Sequence, residues 1–290
     1  SQSKSRFFKH LANTFKVRFT MHEWRVIEDE PKDGESNMAI DRAVLTSCES
    51  GVIPPTLRLY SWERPTLTVG YAQDFAKEID VHRCRELGIQ IVRRPTGGRA
   101  LLHNHEVTYS FAASIPHPKF PSSLLGAYET IAEALLEGLK EIGVCGAALA
   151  SGKKADKSRR SFHSPSCLSS INHFEIEVQG AKLVGSAQRR TKGAFLQHGS
   201  ILLDLDRALL NSLFKYVTDD NRYRSMDILN NKVITLSECL GKNVTRKEVF
   251  QALKNGFSRV LQGNWTSGSL NSFEQVRCRP NSHSMGGVIV

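Results

Sequence analysis

Four stretches of the chain combine residue types that can do chemistry. The first is Arg93-Arg94-Pro95-Thr96-Gly97-Gly98-Arg99-Ala100, followed by His103. A glycine pair permits unusual backbone angles and lets a ligand approach the main chain. Arginines beside such a turn can bind a carboxylate, a phosphate or a thioester carbonyl. An ordinary tight turn with exposed arginines would show the same spacing, and the phosphate-loop pattern GxxxxGK[ST] is absent. The second stretch is Lys182-Leu183-Val184-Gly185-Ser186-Ala187-Gln188. A lysine entering an apolar strand can hold an acyl carbonyl or keep a neighbouring thiol ionised. The plainer alternative is a solvated lysine at a hairpin edge. The third is Cys167 in Ser164-Pro165-Ser166-Cys167-Leu168. In a polar loop a cysteine becomes a nucleophile if a cation lowers its pKa, and is otherwise an inert surface thiol. The fourth is Gln197-His198-Gly199-Ser200, where His198 is either a base or a partner for a strand end.

These residues need a scaffold, and the periodicity supplies one. Strand patterns cover Trp24–Ile27, Leu57–Trp62, Leu67–Gly70, Ile89–Arg93 and Val107–Ala112. A hairpin is expected from Phe174–Val178 and Lys182–Ala187 around Gln179-Gly180, and a further strand over Gly199–Leu205. Helical spacing covers Ser36–Ser50, Asp80–Gly88 and Ser123–Ile142, the last with Leu124, Leu125, Tyr128, Ile131, Leu135 and Leu139 on one stripe. Two more helices fit Thr235–Cys239 and Thr245–Leu261, with Thr245 as N-cap and Glu248 at the capping-box position. Irregular interleaving with hairpins predicts an α+β fold: a central mixed or antiparallel sheet flanked by helices.

The bulk numbers narrow the class. A chain of 290 residues, 40% hydrophobic, can bury one large core. It has no run of about 18 apolar residues that could span a membrane. The cysteines Cys48, Cys84, Cys145, Cys167, Cys239 and Cys278 show no CxxC pair and no zinc-finger spacing, so no metal is expected and a reducing compartment fits. Residues 1–22 read as a basic, flexible extension: a transit remnant, a nucleic-acid arm, or sequence upstream of a start at Met21. Residues 23–262 read as the catalytic domain, and residues 263–290, rich in Ser, Asn and Gly, as a loose tail. The net charge of +10 points to acidic partners. Nucleic acid is the usual guess, but no helix-turn-helix precedes residue 24 and the aromatic residues form no RNA-binding signature.

Taken together, NMAIDRAVL (37–45), RLYSWERPTLTVGYAQ (58–73), RRPTGGRALLHNHEVTYSF (93–111), KLVGSAQRRTKGAFLQHGSILL (182–203) and TRKEVFQALKNGF (245–257) resemble the biotin/lipoate protein ligase and lipoyl-transferase superfamily. The resemblance covers about residues 24–262 and is nearest to the cysteine-type octanoyltransferases, because Cys167 precedes Phe174-Glu175-Ile176 where that type has a cysteine before Tyr-Glu-Leu. The spacer between them departs from the usual wording. The resemblance implies a mixed sheet with an acyl groove around the RRPTGGRA turn and Lys182. It makes Cys167 and Lys182 catalytic, and Arg93, Arg94, Thr96, Gly97, Gly98, Arg99, His103, Gly185, Ser186, Ala187 and His198 substrate-binding. It implies a cytoplasmic octanoyltransferase that needs no cofactor. Its donor would be acyl carrier protein, and its acceptors lipoyl-domain proteins such as glycine cleavage H protein or 2-oxoacid dehydrogenase E2. The alternatives within the superfamily are an ATP- and magnesium-dependent lipoate–protein ligase and an amidotransferase between carrier proteins.

Overall fold

The computed structural model describes residues 22–121, 123–150, 175–278 and 288–289. In chain order the first elements are β1 (Glu23–Glu28), α1 (Gly34–Glu49), β2 (Thr56–Tyr60), β3 (Thr66–Val69), α2 (Phe75–Glu78), α3 (Val81–Glu86) and β4 (Gln90–Arg93). Next come β5 (Leu101–His103), β6 (Glu106–Ser114), α4 (Leu124–Glu141), β7 (Ala147–Leu149), β8 (Ile176–Val178), β9 (Ala181–Arg190) and β10 (Ala194–Leu202). The last are α5 (Arg207–Ser212), α6 (Asp219–Lys232), α7 (Leu236–Leu240), α8 (Arg246–Leu261), β11 (Asn264–Ser267), α9 (Ser272–Arg277) and β12 (Val288–Ile289).

Eight strands form one mixed sheet in the order β11-β1-β2-β6-β10-β9-β8-β7, and four form a second in the order β12-β4-β3-β5. Strand period decides which side chain meets which layer. On β6, Val107, Tyr109, Phe111 and Ala113 enter the large core with α4 and α8, while Ala112 packs with Ile40, Val44 and Leu45 of α1. On β10, Phe195 and Ile201 take the first side and Ala194 and Leu196 the second. His198 and Ser200 therefore face α1, and Gln197 and Gly199 face the large core. Helices α4 and α8 touch backbone to backbone: a Cβ at Gly256 would lie 2.3 Å from Ala134 O, so only glycine fits. Asp33 caps α1 and Ser123 caps α4, each accepting the amide three residues on. The second sheet packs with α3, α5 and α6 around Leu67, Ile91, Leu210 and Leu229.

Three expectations change. The segment after residue 262 is not a loose tail as far as Cys278. β11 lies parallel to β1, Trp265 stacks on Trp24 at 5.8 Å, and Glu274 is fully buried against Arg25. Its polar composition hid two anchors that only tertiary contact reveals. The strand placed at Gly199–Leu205 runs instead over Ala194–Leu202, so His198 sits mid-strand. Helices α5 and α6 were absent from the sequence pattern because α6 buries only Ser225 and Leu229 and so has almost no apolar stripe. Residues 1–21 and Cys167 lie outside the described residues.

Candidate active site

The chain leaves β4 through Arg94 and turns at Thr96–Arg99, and the carbonyls of this turn are held from within. Pro95 O accepts from Arg189 Nη1 at 3.0 Å, and Thr96 O from the Tyr71 amide at 2.9 Å. Gly97 O accepts from Arg94 Nη2 at 2.7 Å, and Arg99 O from the same nitrogen at 2.8 Å. Gly98 takes φ +93°, and its carbonyl lies so near Gly70 that a Cβ there would stand 1.9 Å from the oxygen. Gly97 and Gly98 are exposed, and their amides donate to no acceptor among the described residues. Internally held carbonyls beside two exposed glycine amides with no acceptor among the described residues can serve as an anion site, suited to a carbonyl oxygen that gains negative charge.

The arginines expected to bind substrate brace this turn. Arg94, 6% exposed, also reaches Thr68 O and Oγ1 at 3.2 Å. Arg93 Nη1 donates to Gly70 O and Tyr71 O at 2.8 Å and so fixes the loop that Gly70 presses against the turn. Arg99 is half-buried at the turn's exit.

Beneath the turn lie two buried carboxylate–histidine pairs. His198 Nδ1 meets Asp41 Oδ2 at 3.0 Å, and its Nε2 meets Thr96 Oγ1 at 2.6 Å. Asp41 also accepts from Arg58 Nη1 at 2.9 Å and Tyr60 OH at 3.0 Å. Burial pushes the Asp41 carboxyl up, but the hydrogen bond from His198 and the Arg58 charge outweigh it and leave it below its ordinary range. Burial, then the Asp41 charge, holds the Tyr60 hydroxyl well above its usual value. The second pair is His103 Nδ1 with Glu106 Oε1 at 3.2 Å, and His103 Nε2 lies 2.9 Å from Thr68 Oγ1. His103 is stacked on Trp62 at 4.1 Å, and burial lowers its pKa despite the Glu106 charge. Ser200 donates to the other Glu106 oxygen.

Lys182 opens β9 at a break in register between β8 and β9. The irregularity turns three successive residues, Lys182, Leu183 and Val184, inward. The Lys182 ammonium, fully buried, is paired with Glu175, and its Cε would lie 3.0 Å from a Cβ at Gly185. Ser186 Oγ bonds Tyr109 OH at 2.7 Å, where Gln197 Nε2 also donates at 3.0 Å. Burial, against both bonds, raises the Tyr109 hydroxyl to about 12. Ala187 is the cross-strand neighbour of His198. Thus Ser186, Ala187 and His198 share the β9–β10 ladder, and Thr96 through Arg99 join them by way of His198. Lys182 stands at the far end of β9, four residues before Ser186. Glu175, Asp41, Glu106, Thr68 and Gly70 were not among the residues singled out from sequence. Each lies within a motif quoted above, and Asp41, one helical turn after Asn37 in a run otherwise suited to the core, carried a signal of its own: a charge on a buried stripe.

The whole of this arrangement falls within a match to the lipoyl protein ligase A/B catalytic domain, which covers residues 33–258, and the chain belongs to that family and is an acyltransferase. Within it, the chain is 38% identical over 257 residues to the octanoyltransferase LipM of Brevibacillus brevis, covering 88% of this chain and 92% of that one. It is 40% identical over 239 residues to the octanoyltransferase LipM of Bacillus subtilis, covering 82% and 86%. Among solved structures, a bi-partite lipoate protein ligase of Thermoplasma acidophilum superposes with TM-score 0.72 at 23% identity over 89% of this chain and 91% of that one. A lipoate-protein ligase A bound with ATP does so with TM-score 0.70 at 24% identity over 88% and 92%. These two establish the fold: a mixed sheet flanked by helices.

Proposed function

We propose that the enzyme takes an octanoyl group from the thioester of acyl carrier protein onto Cys167 and passes it to a lysine of a lipoyl-domain protein. The observation that carries octanoyl transfer is the 38–40% identity to octanoyltransferases over more than four fifths of the chain. The likeness to ATP-binding ligases, at 24%, extends to the fold alone. In the first step the Cys167 thiolate attacks the donor thioester carbonyl, the oxygen takes the negative charge, and the carbonyl re-forms as the carrier thiolate leaves and is protonated. In the second step the acceptor amine attacks the enzyme thioester, the Cys167 thiolate leaves, and the amine loses a proton. The products are an octanoyl amide and a free carrier thiol, and a thioester supplies enough free energy to form an amide without ATP. The Gly97 and Gly98 amides serve the oxyanion in both steps. Lys182 stabilises the thiolate and the developing charge. Glycine cleavage H protein and 2-oxoacid dehydrogenase E2 have the acceptor chemistry, and the site of action is the cytoplasm.

Intact-protein mass spectrometry after mixing with octanoyl-acyl carrier protein, without nucleotide, tests this. The chain gains one octanoyl mass that hydroxylamine removes, and Cys167→Ala gains none. Acylation of a lipoyl domain only from free acid with ATP and magnesium, surviving Cys167→Ala, would instead make the enzyme a ligase.

A further inference from the structure

The two carboxylate–histidine pairs have the same layout: each imidazole joins a buried carboxylate to a threonine hydroxyl. Asp41 accepts from Arg58 and Tyr60, so it is ionised and takes the Nδ1 proton of His198. On its other side His198 Nε2 meets the Thr96 hydroxyl at 2.6 Å, so the imidazole links the carboxylate to that hydroxyl. At the second pair, Glu106 meets His103 Nδ1 at 3.2 Å, His103 Nε2 meets the Thr68 hydroxyl at 2.9 Å, and that hydroxyl oxygen accepts from Arg94 Nη1 at 3.2 Å. Each line reads threonine hydroxyl to imidazole to carboxylate. The first ends on Thr96, inside the turn. The second ends on Arg94, whose guanidinium holds the carbonyls of Gly97 and Arg99. Asp41 is 0% and Glu106 1% exposed. No hydrogen bond runs from either carboxylate to the Thr96–Arg99 turn among the described residues.

We propose that Asp41 and Glu106 are positioning residues for acyl transfer, each acting through a histidine and a threonine hydroxyl to fix one side of the Thr96–Arg99 turn and so the direction of the Gly97 and Gly98 amides. This rests on the reading of that turn as the oxyanion site. Donors aimed at developing charge lose most of their effect when misdirected, because the gain exists only in the transition state. A ground-state binding defect is not what loosening the turn produces.

Replacing only the threonine hydroxyls leaves every carboxylate, histidine and arginine in place, and at Thr68 it also removes the oxygen that accepts from Arg94 Nη1. Thr96→Val and Thr68→Val are nearly isosteric, and Thr96→Ser and Thr68→Ser restore the hydroxyl. The rate of octanoyl transfer from octanoyl-acyl carrier protein to a lipoyl domain, split into kcat and KM, is compared with melting by circular dichroism. Each Val variant lowers kcat by about tenfold or more while KM for the donor stays within about twofold, and each Ser variant recovers most of the lost rate. Val variants that melt like the parent and keep its kcat overturn the proposal, as does a loss confined to KM. So does a Ser variant as slow as its Val counterpart. If the parent forms amide but no hydroxylamine-labile adduct, the Cys167 step has failed, and the same kcat and KM comparison still decides whether the two relays position the turn.

Discussion

Lys182 and Gly185 stand three apart because the lysine needs the room. A Cβ at Gly185 would sit 3.0 Å from Lys182 Cε and 3.4 Å from Nζ, contacts tight enough to displace the ammonium by a few tenths of an ångström. Gly185→Ala is therefore expected to slow acyl transfer several-fold or more with little change in melting temperature, which paired kinetics and calorimetry will show. Lys182→Met removes the charge opposite the buried Glu175 carboxylate. Breaking such a pair from one side costs about 3–5 kcal/mol. Urea titration should give that loss for the single variant and recovery of much of it in Lys182→Met with Glu175→Gln, while transfer stays lost in both. The glycine at this spacing and the lysine were legible in the sequence. Glu175 was visible as part of a motif, but its pairing was not, because the partners meet across a hairpin only once the register breaks.

Among the elements, the turn between β4 and β5 is built by two loops pressed together. Gly70 ends β3 with no space for a side chain, since its missing Cβ would stand 1.9 Å from Gly98 O. Gly70→Ala must part the loops, and with them the Tyr71 amide from Thr96 O and Arg93 from the 70–73 carbonyls. It should depress both melting temperature and transfer rate, whereas Gly97→Ala, with nothing within 4 Å of its Cβ, should leave the melt near that of the parent. Residues 93–103 could be picked out by composition as a site, but Gly70 could not, because its partner lies 28 positions away. Strands and helices with a clear period were legible: β1, α1, β6, α4 and α8 stand within about two residues of their expected bounds. Where burial is sparse, as in α6, or where one aromatic contact and one ion pair hold a polar segment, as in β11 and α9, periodicity carries no signal.

At the scale of the whole molecule, charge acts in two ways. The net charge of +10 suits an acidic carrier protein, so kcat/KM for the carrier-borne donor should fall as salt rises and the Debye length shrinks from about 10 Å at 0.1 M. A short thioester donor without a carrier should show no such fall, and equal salt dependence for both would refute steering. The buried charges set the response to pH. His103 and the partly buried His117 both have pKa values lowered by burial. As pH drops past the ordinary imidazole value of about 6.5 the unfolded chain binds protons that the folded chain refuses, so stability is complete above that pH and declines below it. His103 can remove at most about 1.4 kcal/mol per pH unit until its folded pKa is reached, and the more exposed His117, screened by solvent, less. Asp41, also lowered, adds a separate loss below the ordinary carboxylate range, as protonation breaks its bonds to His198 and Arg58. Urea midpoints measured from pH 7.5 down to pH 5 should therefore fall steadily rather than hold level. Replacing His103 by Gln keeps a hydrogen-bonding side chain stacked near Trp62 but removes one titration. Its midpoints should start lower and fall less steeply over that interval, and a slope equal to the parent's would mean that His103 does not carry the acid sensitivity of the fold.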